Sequence, residues 1–295
     1  LRELSPPDAL PVDGELGALL AGLSLADLEA AGLAEPLRRL RAGPKRATGV
    51  WLRCLRPAAT HPRLHLVGFA YAGGAASTFA PWGALLPSEI ALHAVQLPGR
   101  EERASEPFAD ALLDAGRAVA AAVATLDGPV VFYGHSSGAM LAWATTLALG
   151  ELDRSPSLLL VAACLPPGAL RGAMEGASHS DPLPWAVARG LIAPDVAAAL
   201  RADPLLSSRF AADFRLAASD LPPPPVLSVP LGVLVGKADR GFAAGEVEAW
   251  LRRSGRPLGV ETVDGDHLFL DGRRSETVAS VRRFLTKVGL PGLGA

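Results

Sequence analysis

The sequence predicts an α/β fold in which helices cover a mostly parallel, doubly wound sheet that carries a helical lid insertion. From Arg63 onward, short apolar runs alternate with helix-prone stretches, the pattern of parallel strands joined by crossover helices. The chain has 295 residues, of which 49% are hydrophobic and 20% charged. This is enough apolar material for one large domain with a packed core.

The first 60 residues differ from the rest, and we place them outside the catalytic domain, which we assign to residues 61–295. Prolines punctuate the start, and a capping-box pattern at Ser24 opens a leucine-rich helix to about Leu40. The segment is either a linker or remnant, or a connection to an upstream domain. Because the first residue is Leu1, we expect a segment excised from a longer chain.

Six buried strands are predicted in the remainder. They are Leu64–Val67, Ile90–Val95, Val130–Tyr133, Leu158–Ala163, Leu231–Val235 and Gly259–Val263. A helix is predicted from Pro107 to Leu126, because proline suits the first turn and apolar residues recur on one face. A closing amphipathic helix passes through Val278, Val281 and Leu285.

The segment from about 165 to 230 contains alanine-rich, helix-prone runs but no convincing central strand, and it ends in the proline run 222–225. Long insertions in compact domains usually serve function. We therefore interpret it as a lid over an active site, with an ordinary surface excursion as the alternative.

The nucleophile is predicted at Ser136. The strand Val130–Tyr133 runs directly into Gly134-His135-Ser136-Ser137-Gly138, and a helical run follows. The order of strand, GxSxG and helix is the nucleophile elbow of the α/β-hydrolase fold. A serine on so sharp a turn is strained, and the flanking glycines remove side chains that would clash. His135 is the variable residue of this motif.

A serine hydroxyl needs a base, and in this fold the chain order is serine, then acid, then histidine. Only His179 and His267 lie well after the elbow. His267 follows a predicted strand and is our candidate base, whereas His179 falls in the lid. Asp239, directly after the Leu231–Val235 strand, is the candidate acid, with a turn aspartate as the alternative.

Two backbone N–H groups should stabilise the tetrahedral oxyanion. Ser137, the residue after the nucleophile, supplies the first. The second comes from the glycine-rich loop after the first predicted strand, where Ala72 or Tyr71 is the candidate and a turn without catalytic duty is the alternative.

Composition argues against several other classes of protein. A net charge of −2, with 28 basic and 30 acidic residues, offers no case for a nucleic-acid or anionic-membrane partner. No membrane span or signal pattern is present. Cys54 and Cys164 lack metal-ligand spacing, so we interpret both as buried thiols in a reducing cytoplasm. We expect no metal and no organic cofactor.

Beyond these elements, Arg63 to Leu285 resembles the thioesterases of polyketide and nonribosomal peptide synthesis, particularly their editing, stand-alone type. The motifs are Tyr71-Ala72-Gly73-Gly74, Phe79-Ala80-Pro81-Trp82 and Gln96-Leu97-Pro98-Gly99-Arg100-Glu101. The sequence departs from the family at Ser137, where methionine is common, and in the lid stretch 209–214.

The resemblance implies the triad Ser136, Asp239 and His267, with the amides of Ala72 and Ser137 as the oxyanion hole. It also implies an acyl chain delivered on the phosphopantetheine arm of an acyl or peptidyl carrier protein in antibiotic and other secondary metabolism. An acyl-Ser136 intermediate would be resolved by hydrolysis, as in release or editing, or by macrocyclisation. The N-terminal segment favours an integrated terminal domain over a separate editing enzyme.

Two other functions remain open at this point. The triad is equally compatible with a carboxylesterase or lipase that acts on small esters. A non-catalytic binding module that kept the fold is the third possibility, and the intact set of serine, aspartate and histidine argues against it.

Overall fold

A computed structural model describes residues 50–178, 180–219, 225–242 and 244–290. The predicted N-terminal helix, His179 and most of the proline run 222–225 lie outside the described residues. Whether the first part of the chain is a linker or a connection to another domain stays a prediction.

A seven-stranded sheet forms the centre of the described chain. Its strands are β1 (Leu52–Arg56), β2 (Leu64–Phe69), β3 (Ile90–Val95), β4 (Val130–His135), β5 (Leu158–Ala162), β6 (Leu227–Gly236) and β7 (Ser254–Val263). Their order across the sheet is β1-β3-β2-β4-β5-β6-β7, and every neighbouring pair is parallel except β1 with β3. The predicted α/β-hydrolase fold and all six predicted strands are confirmed. The predicted burial of Gly259–Val263 was wrong, because β7 lies at the edge of the sheet and most of its residues are half-exposed or exposed.

The strand β1 corrects the predicted domain boundary at residue 60. Leu52 pairs with Val95 and Cys54 with His93, so residues 52–56 belong to the same sheet as the catalytic strands. The Arg56 guanidinium also donates hydrogen bonds to four carbonyls in the segment that leads into β3. The catalytic domain therefore begins before residue 61.

Helices cover both faces of the sheet. They are α1 (Leu112–Val123), α2 (Ser137–Gly150), α3 (Ala169–Ala173), α4 (Leu183–Ala188), α5 (Pro194–Ala202), α6 (Pro204–Ala217), α7 (Ala244–Glu248), α8 (Phe269–Gly272) and α9 (Arg274–Lys287). A 3₁₀ helix spans Ala76–Ala84. The helices α1 and α2 pack together on one face with β4 and β5, and α9 packs against β7. None of the described helices is both long and apolar enough to cross a bilayer.

Two predictions about single elements were wrong. Helix α1 spans Leu112–Val123 instead of Pro107 to Leu126, and the Phe108 ring, which precedes the helix, packs against Gly99. Cys164 is buried as predicted, but Cys54 is exposed, because it lies on an edge strand.

The predicted lid is helical. Four helices, α3 to α6, lie between β5 and β6, and β6 begins at Leu227. Asp203 caps α6 by accepting hydrogen bonds from the N–H groups of Leu205 and Leu206. The lid helices turn apolar side chains toward the carboxyl ends of the parallel strands, where the site lies.

Candidate active site

Ser136 lies on a strained turn between β4 and α2. Its backbone is at φ 52° and ψ −126°, a region that a non-glycine residue rarely adopts. A Cβ on Gly138 would lie 2.2 Å from the Phe69 carbonyl oxygen, and one on Gly134 would lie 2.6 Å from the Ala139 Cα. The two glycines of GxSxG are therefore required by close backbone packing, as the sequence predicted.

The structure brings Ser136, His267 and Asp239 together. The Ser136 hydroxyl donates to His267 Nε2 at 3.0 Å, and His267 Nδ1 donates to Asp239 Oδ2 at 2.9 Å. The side chains of His267 and Asp239 are 4% and 3% exposed. The three residues come from the loops after β4, β7 and β6, which meet at one edge of the parallel sheet. This arrangement can move a proton from the serine to the imidazole while the carboxylate fixes the histidine tautomer.

Asp239 is held in place by its own turn. Its second oxygen, Oδ1, accepts the Gly241 N–H at 2.8 Å. The two aspartates nearer to the histidine in sequence face elsewhere: Asp264 pairs with Lys237 at 2.7 Å, and Asp266 accepts the Leu268 N–H at 3.0 Å.

His135 supports the backbone of His267, a contact that the sequence did not indicate. Its Nε2 donates to the backbone carbonyl of His267 at 2.7 Å, and its Nδ1 accepts the Tyr133 hydroxyl at 3.2 Å. Full burial, followed by the nearby His267, lowers the pKa of His135 to about 3. His135 therefore stays neutral, with the proton on Nε2. The only signal in the sequence was the presence of histidine at a position of GxSxG that accepts any residue.

The predicted oxyanion residues line the same pocket. Ser137 is the first residue of α2, so its N–H has no acceptor within the helix. Ala72 lies in the loop after β2, beside the pocket that contains Ser136. Tyr71, the other candidate, donates its hydroxyl hydrogen to Asp271 at 2.6 Å, which connects this loop to α8, the helix that follows His267 in the chain. Burial and the Asp271 carboxylate raise the pKa of Tyr71.

A cavity of about 430 Å³ opens above Ser136 and His267. Its wall is mainly apolar and comes largely from the lid. The lid residues are Leu170, Met174, Trp185, Leu191, Ile192, Val196, Leu200, Leu206, Phe210, Phe214 and Ala217. Phe242 completes the wall and lies edge-on to the His267 ring, with the ring centres 5.9 Å apart. A cavity of this size and polarity suits an apolar acyl chain next to the serine.

The histidines and acidic residues do not form a metal site in the part of the chain that the structure describes. His65 and His93 contact each other inside the sheet, at 3.0 Å between ring nitrogens. No group of three histidine, cysteine or acidic side chains in the described parts of the chain is arranged to hold a metal ion.

Comparison with known proteins gives the family. The model of the thioesterase domain matches residues 64–285, three quarters of the chain and nearly the span over which the sequence motifs pointed to it. The chain belongs to the thioesterase family. It is therefore an enzyme that hydrolyses thioesters.

Two sequence relatives differ greatly in length. The thioesterase is 33% identical over 257 residues to the AMB antimetabolite synthetase AmbE of Pseudomonas aeruginosa, a match that covers 82% of this chain but 11% of AmbE. It is 28% identical to thioesterase TesA of Mycobacterium leprae, with 75% of this chain and 86% of TesA covered.

Among solved structures, the type II thioesterase BorB from the borrelidin biosynthetic cluster superposes with a TM-score of 0.66 and 26% identity. The match covers 81% of this thioesterase and 97% of BorB.

Proposed function

We propose that this thioesterase releases acyl chains from the phosphopantetheine arm of a carrier protein in polyketide or nonribosomal peptide synthesis, through an acyl-Ser136 intermediate. The observation that carries the proposal is the hydrogen-bonded chain of Ser136, His267 and Asp239 at the floor of an apolar cavity under the lid. The kinship with type II thioesterases such as BorB and with the synthetase AmbE supports the carrier-bound substrate.

In the first half of the reaction, the Ser136 hydroxyl attacks the thioester carbonyl and passes its proton to His267 Nε2. Asp239 stabilises the imidazolium that forms. The tetrahedral oxyanion accepts hydrogen bonds from the N–H groups of Ala72 and Ser137. The C–S bond then breaks, and the imidazolium returns its proton to the departing pantetheine thiolate.

In the second half, water attacks the acyl ester while His267 takes a proton from it. The second tetrahedral intermediate collapses, the proton returns to Ser136 and the free acid leaves. Each step uses only side chains and backbone amides of the protein, so the proposed chemistry needs no metal or organic cofactor. A thiolate is already a good leaving group, and we expect most of the rate enhancement to come from positioning and from the oxyanion hole.

The editing activity of a stand-alone enzyme and product release by an integrated domain use this same chemistry. The match to AmbE covers about a tenth of that synthetase, and the match to TesA covers most of that thioesterase. The comparisons are therefore compatible with either arrangement.

Intact-mass analysis after mixing with an acylated carrier protein tests the proposal. Wild-type protein should convert acyl carrier to free carrier and show an acyl adduct on Ser136. Ser136→Ala should do neither. The control is Ser88→Ala, at an exposed serine distant in sequence from Ser136, and it should match the wild type. The mass of the product distinguishes hydrolysis from macrocyclisation.

Two results would contradict the proposal. Turnover of nitrophenyl esters without release from the carrier would indicate a carboxylesterase. Failure of Ser136 to react with both the acyl carrier and a fluorophosphonate would indicate a binding module.

A further inference from the structure

A buried ion pair joins the lid to the loops around the active site. Asp213 lies in the lid helix α6, and Arg100 lies in the loop after β3. The guanidinium donates two hydrogen bonds to the carboxylate, at 2.8 and 2.7 Å. The side chains of Arg100 and Asp213 are 2% and 6% exposed. This paired, two-point geometry is the strong form of a charge-assisted hydrogen bond.

Both members of the pair also bind the backbone of the loop after β2. Asp213 Oδ2 accepts the Gly73 N–H at 2.7 Å, and the Arg100 guanidinium donates to the Gly74 carbonyl at 2.7 Å. Three parts of the chain that are far apart in sequence therefore meet at one carboxylate: a lid helix, the loop after β3 and the loop that contains Ala72.

These bonds fix the peptide groups on either side of Ala72. The Gly73 N–H belongs to the rigid peptide plane that follows Ala72, and Asp213 sets the direction of that plane. On the other side, the Tyr71 carbonyl accepts the Gly74 N–H at 2.9 Å, which closes the turn. Gly73 has φ +81°, a conformation that allows this turn. With the peptide planes on both sides of Ala72 held, the direction of the Ala72 N–H is fixed. The Gly73 N–H is already hydrogen-bonded to Asp213.

The stability of the fold does not explain why two charges are buried here. Removing charges from water is unfavourable, and well-packed apolar residues often replace a buried ion pair without loss of stability. Apolar side chains, however, could not form the hydrogen bonds that Asp213 and Arg100 make with the Gly73 N–H and the Gly74 carbonyl.

We infer that Arg100 and Asp213 are a positioning pair that holds the Ala72 N–H toward the oxyanion and couples docking of lid helix α6 to a formed oxyanion hole. The inference rests on the proposed function, in which Ala72 supplies one of the two oxyanion donors. Neither side chain touches the reacting atoms. Their effect is exerted through the backbone of the loop after β2.

The first test is Asp213→Asn, which keeps the shape of the side chain and removes its charge. We expect kcat for an acyl-pantetheine thioester to fall about 10- to 100-fold, somewhat less than the loss of a whole oxyanion donor, with KM changed by less than about 3-fold. Asp181→Asn is the matched control, because Asp181 also pairs with a lid arginine, Arg201, but both side chains are about half exposed. This control should behave as the wild type.

A second variant separates positioning from stability. Arg100→Met with Asp213→Leu replaces the ion pair by apolar side chains of similar size. We expect it to fold with a melting temperature near that of the wild type while kcat stays low. If Asp213→Asn fails to fold, this double variant and Arg100→Lys, which keeps the charge without the two-point geometry, carry the test.

The direct readout is the binding of two inhibitors. A trifluoromethyl ketone analogue of the acyl-pantetheine forms a tetrahedral adduct with Ser136, and its oxygen occupies the oxyanion hole. The matching thioether, with a methylene in place of the carbonyl, binds without forming an adduct. The folded variants should bind the ketone about 10- to 100-fold more weakly and the thioether within about 3-fold of wild type.

The outcomes separate this inference from the proposed function. If the double variant recovered wild-type kcat and ketone affinity, the inference would be overturned. The proposed function would still stand, provided that wild-type turnover depended on Ser136. Equal loss of ketone and thioether affinity would also overturn it, since that would mean a distorted pocket. If the wild type itself released no acyl chain, the proposed function would fail, and the ketone would still report whether the pair orders the loop.

Discussion

Replacement of Gly138 by alanine should push the nucleophile elbow away from the loop after β2, which contains Ala72. A Cβ at this position would lie 2.2 Å from the Phe69 carbonyl oxygen and 2.5 Å from that of Ala70. Ordinary contact for such atoms begins at 3.4 Å, so the start of α2 and the end of β2 must move apart by about 1 Å. The contacted atoms are backbone, which a change of rotamer cannot relieve.

The displacement falls on the atoms that perform the chemistry in the proposed mechanism. The elbow carries Ser136 and the Ser137 N–H, and the chain leaving β2 carries the Ala72 N–H. Misplacement of reacting groups by about 1 Å can reduce a rate about 100-fold, and overpacking costs about 1–3 kcal/mol of stability. We therefore expect Gly138→Ala to fold, to melt at a lower temperature and to lose about 100-fold in kcat.

The assay is release of free thiol from an acyl-pantetheine thioester, measured together with thermal unfolding. Gly150→Ala is the matched control: it makes the same substitution at the other end of the same helix, where an added Cβ meets nothing within 4 Å. It should keep wild-type kcat and gain slightly in stability. Wild-type kcat in Gly138→Ala would refute the reasoning, because it would mean that the site tolerates this displacement.

Three further predictions concern the surroundings of the site. His135→Phe leaves the buried His267 carbonyl without its donor and should lower kcat about 10-fold, since an unsatisfied buried acceptor costs about 1–3 kcal/mol; His135→Gln, which keeps a donor, should lose less, and equal loss in both would contradict this role. Burial lowers the pKa of His93 from 6.5 to about 4, so the unfolded chain binds a proton in this range that the folded chain does not. Stability should therefore fall as the pH drops from 6.5 to 4, and His93→Gln should remove part of that loss in denaturant titrations. An unchanged dependence of stability on pH would argue against a buried neutral His93. Ala217→Phe fills part of the cavity and should raise KM for long acyl chains while turnover of acetyl substrates is kept; Ala198→Phe, at an exposed lid position, should change neither. An equal rise in KM for acetyl and long chains would contradict the assignment of this cavity to the acyl chain.

The central sheet and the meeting of Ser136, Asp239 and His267 could be predicted because local patterns determine them. Buried parallel strands appear in the sequence as short apolar runs. The elbow requires glycines at two fixed positions, and the acid and base follow the ends of strands in a known order. Asp239 and His267 are close in the structure because the carboxyl ends of β6 and β7 are neighbours in the sheet.

The features that the sequence did not indicate depend on distant partners. Strand β1 mixes apolar with charged residues at a half-exposed edge, and its pairing with β3 is what identifies it as a strand. The absence of metal-ligand spacing led to the prediction that Cys54 is a buried thiol, but its position on an edge strand leaves it exposed. Pro107 suits the first turn of a helix, yet α1 begins at Leu112, and the Phe108 ring lies against Gly99 in the loop after β3.

The site depends on the same kind of long-range contact. The loop after β2 is connected to α8 by Tyr71 and Asp271, residues 200 positions apart, and the elbow is connected to the His267 backbone by His135. The loops that contain Ser136, Asp239 and His267 follow three different strands. No single strand therefore determines the distance between these loops. The cross-links supply that distance. Because a thioester already has a good leaving group, accurate placement of the serine, base and oxyanion donors is what the protein must provide. Substitutions at the cross-links should therefore lower kcat even though none of these side chains is a nucleophile, acid or base in the reaction.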